Sequence, residues 1–208
     1  MLLADTYVDR IDFLKYLPQT DCGVCGAKDC GEFVEALKRG GRRPTDCPDI
    51  PEHMHYPFQV ALDADHLLPK FPCLDVPRPG PTGLTEINSP DDASPILISG
   101  NNVHTQDVLT TILGTTKSPF YLLCTDTRGD TVDMAVILKS LTVETISAVL
   151  IQSGIFERTA QEEITIPGLA SGMADALRQK MGWKVTVGPV CAAELPLFFG
   201  EKWLPPAV

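Results

Sequence analysis

Four cysteines near the start of the chain, Cys22-x2-Cys25-x4-Cys30-x16-Cys47 with Pro48 next, have the type and spacing to hold a metal centre. Thiolates are soft ligands. Three of these crowd one short loop, and the fourth stands beyond a predicted helix. Structural zinc sites usually pair their ligands as C-x2-C twice, whereas a triplet with a distant fourth cysteine is typical of iron–sulfur proteins. The pattern points to a [4Fe–4S] cluster on Cys22, Cys25, Cys30 and Cys47, with structural zinc and disulfides as alternatives. Such a centre passes single electrons. The remaining three cysteines look separate. Cys124 falls in a predicted strand and reads as a small buried hydrophobe; Cys73 lies in a proline-rich stretch and reads as exposed and reactive; Cys191 has no metal spacing.

Other chemistry is sparse. There is no Ser/His/Asp triad, no H-E-x-x-H and no pair of catalytic carboxylates. Glu162–Glu163 reads as a solvated corner before a strand. His53, His55 and His66 give no metal spacing, and His104 reads as a loop histidine. Neither G-x-G-x-x-G nor G-x-x-x-x-G-K-[ST] is present. The basic stretch Lys38–Arg43 reads as charge complementing a helix C-terminus; a docking surface for an acidic redox partner is the sharper alternative.

The 208 residues carry 44% hydrophobic content, a net charge of −10 and a pI near 4.7. That charge argues against nucleic acid and anionic membrane as partners, since nothing would release counterions from phosphates. Met1–Leu17 mixes charges throughout and lacks a signal-peptide pattern. No apolar run approaches the ~18 residues needed to span a bilayer. The expectation is a soluble, cytoplasmic chain whose clustered cysteines bind metal.

Three segments must position these residues. Residues 1–60 read as a small cluster module, with helices over Asp9–Leu17 and Gly31–Lys38, the second stopped by Gly40–Gly41. Residues 61–93 read as a semi-rigid linker, punctuated by prolines. Residues 94–208 alternate strand and helix. Strands are predicted at Ile96–Ser99, Phe120–Cys124, Glu163–Ile166 and Lys184–Val187. Helices are predicted at Gln106–Leu113, Thr131–Leu141, Val143–Gln152, Leu169–Met181 and Val190–Phe198. The fold class is therefore α/β: a doubly wound, Rossmann- or flavodoxin-like sheet behind a small helical module. Small-residue turns follow each strand: Gly100, Gly129, Pro167–Gly168 and Gly188–Pro189. In open α/β sheets that rim is where ligands dock. Each turn alone is an ordinary strand–helix turn; four together favour a broad, flat ligand.

The stretch Phe13–Leu17, Cys22–Gly–Val–Cys25–Gly–Ala–Lys–Asp–Cys30 and Cys47–Pro48 resembles the cluster domain of the corrinoid iron–sulfur protein large (gamma) subunit family of the acetyl-CoA decarbonylase/synthase system. Ser94–Asn101, Thr105, Asp126–Gly129, Ile166–Gly168, Gly182–Pro189 and Ala192 resemble that subunit's corrinoid-binding domain. One departure is that the family's barrel between these modules has no counterpart, because the proline-rich linker is far shorter than the ~200 residues a barrel requires. The resemblance implies a corrinoid (cobalamin) beside the cluster. Its contacts would be Gly100, Asn101, Thr105, Thr127, Gly129, Thr131, Met134, Pro167, Gly168, Leu169, Gly188, Pro189 and Ala192.

A second departure is Met134, which stands where the family places Thr beneath the cobalt. Met134 reads either as a core methionine on a face with Ile137 and Leu138, or as a soft, weak neighbour of cobalt. The function implied is a methyl-group carrier working with methyltransferases, its cluster reducing Co(II) back to Co(I). The alternatives are an electron-transfer activator for a corrinoid held by a partner, or a cobamide storage or delivery protein. Expected partners are a methyltransferase or barrel-type subunit covering the corrin, a second copy of the chain, and a redox protein.

Overall fold

The structure is a computed structural model that describes residues 7–71 and 76–206. Cys73 lies outside the described residues.

Five strands form one sheet in the order β1-β3-β2-β4-β5. They are β1 (Gly83–Ile87), β2 (Ile96–Gly100), β3 (Phe120–Thr125), β4 (Glu163–Ile166) and β5 (Lys184–Val187). β2 to β5 run parallel, and β1 is an antiparallel edge strand in register with β3, Gly83 opposite Cys124. Every residue of β2 and β3 is buried, which is why their sequences ILISG and FYLLCT are near-continuous apolar runs. Side chains alternate across the sheet. Leu97, Phe120, Leu122 and Cys124 enter one core; Ile96, Ile98, Tyr121 and Leu123 enter the other.

Helices cover both faces. On the first lie α1 (Cys30–Lys38), α2 (Glu52–Leu62), α3 (Ala64–Leu67) and α4 (Val103–Leu113). On the second lie α5 (Val132–Ile137), α6 (Val143–Gln152) and α7 (Ala174–Met181). After β5 the chain returns to the first face as α8 (Leu195–Phe199). The chain thus winds from β2 to β3 on one side and to β4 on the other. The fold is α/β and doubly wound, with its switch point between β2 and β4.

Several elements differ from the sequence expectation. Asp9–Leu17 is two 3-10 turns, Val8–Arg10 and Phe13–Tyr16, because Asp12 between them leaves helical space at φ −84°, ψ 82°. Helix 131–141 shortens to α5, stopped where Lys139 turns left-handed. The expected helix 169–181 starts as a 3-10 run over Gly168–Met173, where Gly and Ser are weak helix formers. The expected helix 190–198 begins at Leu195, with Pro196 in its first turn, where a missing N–H costs nothing. α2 has no counterpart in the sequence reading; Pro51 and Pro57 mask it, although Pro57 sits inside the helix and is buried.

The 61–93 segment is not a plain linker. Strand β1 lies in it, and residues 76–81 cross the carboxyl rim of the sheet as a strap, described below. Nor does the N-terminal module hang free. α2 packs on α8, and Phe13, Phe33 and Phe58 share one buried cluster with Leu97, Ile112, Phe120 and Trp203. Phe13 and Phe58 meet with ring centroids 6.1 Å apart.

Because one core spans both parts, unfolding should follow a single cooperative transition by far-ultraviolet dichroism and by any cluster absorbance. Phe58→Ala, at a fully buried position, should lower stability by about 3–5 kcal/mol. Two separated transitions, with the first confined to the module, would contradict the shared core.

Candidate metal centre and cofactor rim

The four cysteines of the N-terminal motif line one cavity, together with Pro18, Thr20, Asp21, Ala27, Phe33 and Asp49. None is in a disulfide; Cys22 is exposed, Cys25 and Cys30 are half-buried, and Cys47 is buried. Local backbone explains the gathering. Gln19, Asp21, Gly23 and Gly26 all have positive φ and roll the loop into a tight coil. Cys30 is the first residue of α1, whose N-cap Asp29 accepts the Glu32 N–H at 2.8 Å. The Asp21 carboxylate accepts the Cys30 N–H at 2.8 Å and closes the coil onto the helix. Burial pushes the Cys30 thiol up, and the Asp21 carboxylate beside it adds to that shift. Cys47 follows a 3-10 turn, Pro44–Asp46, whose Asp46 accepts the Arg43 N–H at 2.8 Å. The Arg42 guanidinium packs against Gly26, in the loop between Cys25 and Cys30.

Among the described residues, no three His, Cys, Asp or Glu side chains converge as they would around a single ion. Donor chemistry, spacing and the shared cavity therefore carry the assignment, rather than preset coordination geometry. The other two described cysteines are buried, and burial pushes both thiols up; Cys124 is partly drawn back by Gln106.

The second region is the carboxyl rim of the sheet. On its β2–β3 side the expected contact residues are occupied with one another. The Asn101 side-chain carbonyl accepts the Thr127 N–H at 2.9 Å, the Thr127 hydroxyl at 3.0 Å and the Gly129 N–H at 3.1 Å. Its amide donates to the Gly80 carbonyl at 3.1 Å. Asn102 caps α4 by accepting the Thr105 N–H, and donates to the Gly129 carbonyl at 2.7 Å. Gly100 packs directly on Thr127.

The strap completes this closure. The Arg78 N–H donates to the Gly129 carbonyl at 2.8 Å, Pro79 bridges Asn102, and the Gly80 N–H donates to Asn101. The Val103 N–H, in the first turn of α4, donates to the Arg78 carbonyl at 3.0 Å. Gly129, at φ +79°, is glycine because a Cβ would lie 2.2 Å from the Pro79 nitrogen. Gly100, Asn101, Thr127, Gly129 and Thr105 thus build the rim, and Asn101 and Gly129 meet the strap. His104 lies inside α4, not in a loop, with its ring stacked on Phe71 at 3.8 Å.

The β2–β4–β5 side is different. Gly168 lies so close to the turn after β5 that a Cβ would sit 2.8 Å from the Gly188 carbonyl oxygen and the Val190 nitrogen. Pro167, Gly188, Pro189 and Ala192 are half-buried around that contact. α5 packs beside the Gly168–Met173 run. Large apolar side chains stand in solvent here: Met134 41%, Ile137 69%, Leu138 57%, Leu169 41% and Val190 64% exposed. Thr131, half-buried, is the N-cap residue before α5 and donates its hydroxyl to Asp133. Met134 is not a core methionine; on α5 only Ala135 is buried. Ile137, Leu138 and Val190 went unrecognised as surface residues, because helical periodicity marks an apolar face without saying whether the fold covers it.

A family model described as CO dehydrogenase/acetyl-CoA synthase delta subunit matches residues 73–199, well over half of the chain. The chain belongs to that family. An Fe-S cluster family model matches residues 17–48, the span holding all four motif cysteines. Relatives include the acetyl-CoA decarbonylase/synthase complex subunit gamma of Methanopyrus kandleri, 30% identical over 122 residues, 59% of this chain and 26% of that protein. Subunit gamma 2 of Methanosarcina thermophila is also 30% identical, over 58% of this chain and 26% of its own length. The corrinoid/iron-sulfur protein large subunit of Moorella thermoacetica is 30% identical over 55% of this chain and 26% of its own length. The chain therefore spans about a quarter of the length of these relatives. Family membership agrees with the resemblance read from the Cys motif and the rim turns.

Cys25→Ser and Cys47→Ser should each abolish most anaerobically incorporated iron and its visible absorbance while the chain stays folded. Zinc retained in place of iron would count against the cluster. Asn101→Ala should cost about 1–3 kcal/mol for each donor left buried without a partner. Chemical denaturation measures it, and a change under 1 kcal/mol would remove the central role given to this side chain.

Proposed function

We propose that this chain is a corrinoid- and [4Fe–4S]-containing methyl-group carrier that works with separate methyltransferases. The observation that carries the reading is the apolar shelf at the open part of the rim, on the same chain as the cluster cysteines. A corrin ring is broad, flat and largely apolar. Met134, Ile137, Leu138, Leu169 and Val190 offer such a ring a matching surface at the switch point, where doubly wound sheets bind ligands. Pro167–Gly168 and Gly188–Pro189 bring bare backbone to the same place, room that a nucleotide tail requires.

A corrinoid held at the rim would supply the methyl-accepting centre, and a cluster on Cys22, Cys25, Cys30 and Cys47 would supply it with single electrons. The protein's part is orientation and axial environment. Met134 gives the shelf a soft thioether, too weak a donor to stabilise the higher oxidation states. Asn101, Thr127 and the strap hold the adjoining wall rigid. The shelf's outer side is open, so a methyltransferase, a barrel-type subunit or a second copy would cover the ring during transfer. A reduced, cytoplasmic setting suits four free thiols gathered in one cavity. No described helix is long and apolar enough to cross a membrane.

A second reading has its own support. The strap already fills the β2–β3 side of the rim, which leaves less room than an open sheet. Under that reading the chain is an iron–sulfur activator, and a partner holds the corrinoid.

Anaerobic reconstitution with iron, sulfide and cobalamin separates the two. The carrier reading expects iron and cobalt near 4:1 and an altered cobalamin spectrum. Iron without cobalt would replace it by the activator reading. Leu169→Asp should weaken cobalamin uptake about tenfold or more without loss of fold, because a carboxylate would be buried against the ring. Met134→Ala should shift the absorbance of bound cobalamin in at least one cobalt state.

A further inference from the structure

One buried carboxylate has no part in either site. Glu194 is 4% exposed. The Tyr16 hydroxyl donates to its Oε1 at 2.7 Å, and the Lys15 ammonium pairs with the same oxygen. Burial and this carboxylate push the Tyr16 phenol up, so it remains a donor. A buried, paired carboxylate is costly to leave without its partners. Its position in the chain is informative. Tyr16 stands two residues before Pro18, which lines the cysteine cavity. Glu194 ends the turn that leaves β5. Along that turn Val190 is exposed on the apolar shelf, Cys191 is buried in the core shared with the cluster module, and Glu194 holds the module itself.

We infer that Glu194 is a positioning residue that locks the cluster module at one fixed orientation to the rim, so that reduction at the rim is intramolecular. Core packing between α2 and α8 supplies adhesion, but apolar contact is non-directional. The two charge-assisted bonds to Glu194 supply direction. They also attach the lock to the turn that carries Val190, so a displaced shelf and a displaced module would be one event. The step is a single electron leaving the reduced cluster, which becomes oxidised, and entering Co(II), which becomes Co(I). An external low-potential one-electron donor reloads the cluster. The redox part of this inference rests on the carrier reading; the lock does not.

Two measurements on the full-length chain test it separately. Amide hydrogen exchange on the protein with cluster alone reads the lock. Glu194→Ala should raise exchange at least tenfold around Leu14–Leu17 and Glu194–Leu197, and Glu194→Gln, which still accepts the Tyr16 hydroxyl, should raise it less. Unchanged exchange in Glu194→Ala would overturn the lock. If that variant does not fold, Tyr16→Phe gives the same reading through one lost hydroxyl. The second measurement follows Co(I) formation in cobalamin-loaded protein after the cluster is reduced with dithionite and excess reductant is removed. The rate should be independent of protein concentration in the wild type and at least tenfold slower in Glu194→Ala. A rate proportional to protein concentration, or one untouched by the variant, would overturn intramolecular transfer. Failure of the wild type to take up cobalamin would instead overturn the carrier reading, with the exchange result still deciding the lock.

Discussion

The carboxamide of Asn101 is the constraint on which the rest of the rim depends. One buried oxygen collects the Thr127 N–H, the Thr127 hydroxyl and the Gly129 N–H, and the amide reaches back to Gly80. A carbonyl oxygen has two lone-pair directions, so three donors around one atom demand tight, shared geometry. That geometry fixes the end of β2, the turn after β3 and the strap against one another. The β2–β3 side of the sheet's carboxyl edge is thereby filled by the chain itself. What remains open is the side between β2, β4 and β5, and the exposed apolar residues lie there.

The cysteine quartet was legible because ligand chemistry needs residue types at fixed spacing, and nothing else in the chain imitates it. β4, β5 and α6 were legible because short apolar runs and a Thr142–Thr145 cap mark their ends locally. The strap and β1 were not. Prolines at 77, 79 and 81 read as a linker in any local window, yet a proline lacks only an N–H, and Pro79 still bridges Asn102. The resemblance implied Asn101 as a corrinoid contact, and the structure shows its side-chain oxygen accepting buried backbone N–H groups. Only tertiary placement separates a side chain that faces a ligand from one that satisfies buried backbone. Glu194 carried no signal, since its partners lie 178 and 179 positions away along the chain.

The proline-rich segment also changes how the two parts of the chain relate. A tether would leave the module free and would expose its apolar faces. Instead, Tyr7 donates its hydroxyl to the Pro69 carbonyl, Tyr56 donates to the Thr115 carbonyl, and Trp203 closes the same core from the C-terminal side. The segment then crosses the rim and lies down as β1 at the sheet's edge. There Glu86 pairs with Arg158. An edge strand so short and charged resists pairing with another chain.

This arrangement gives the proposed carrier two separate approaches. The cysteine loop presents exposed Cys22 and Val24, the latter 70% exposed, on the module that covers the α4 face. The apolar shelf presents Met134, Ile137 and Leu138 from α5, which belongs to the opposite face. An electron donor at the loop and a methyl-transfer partner at the shelf would not compete for one surface. The turn from Gly188 to Glu194 joins these sides through the rim. The close approach at Gly168, where no Cβ would fit, holds that turn in place against the end of β4.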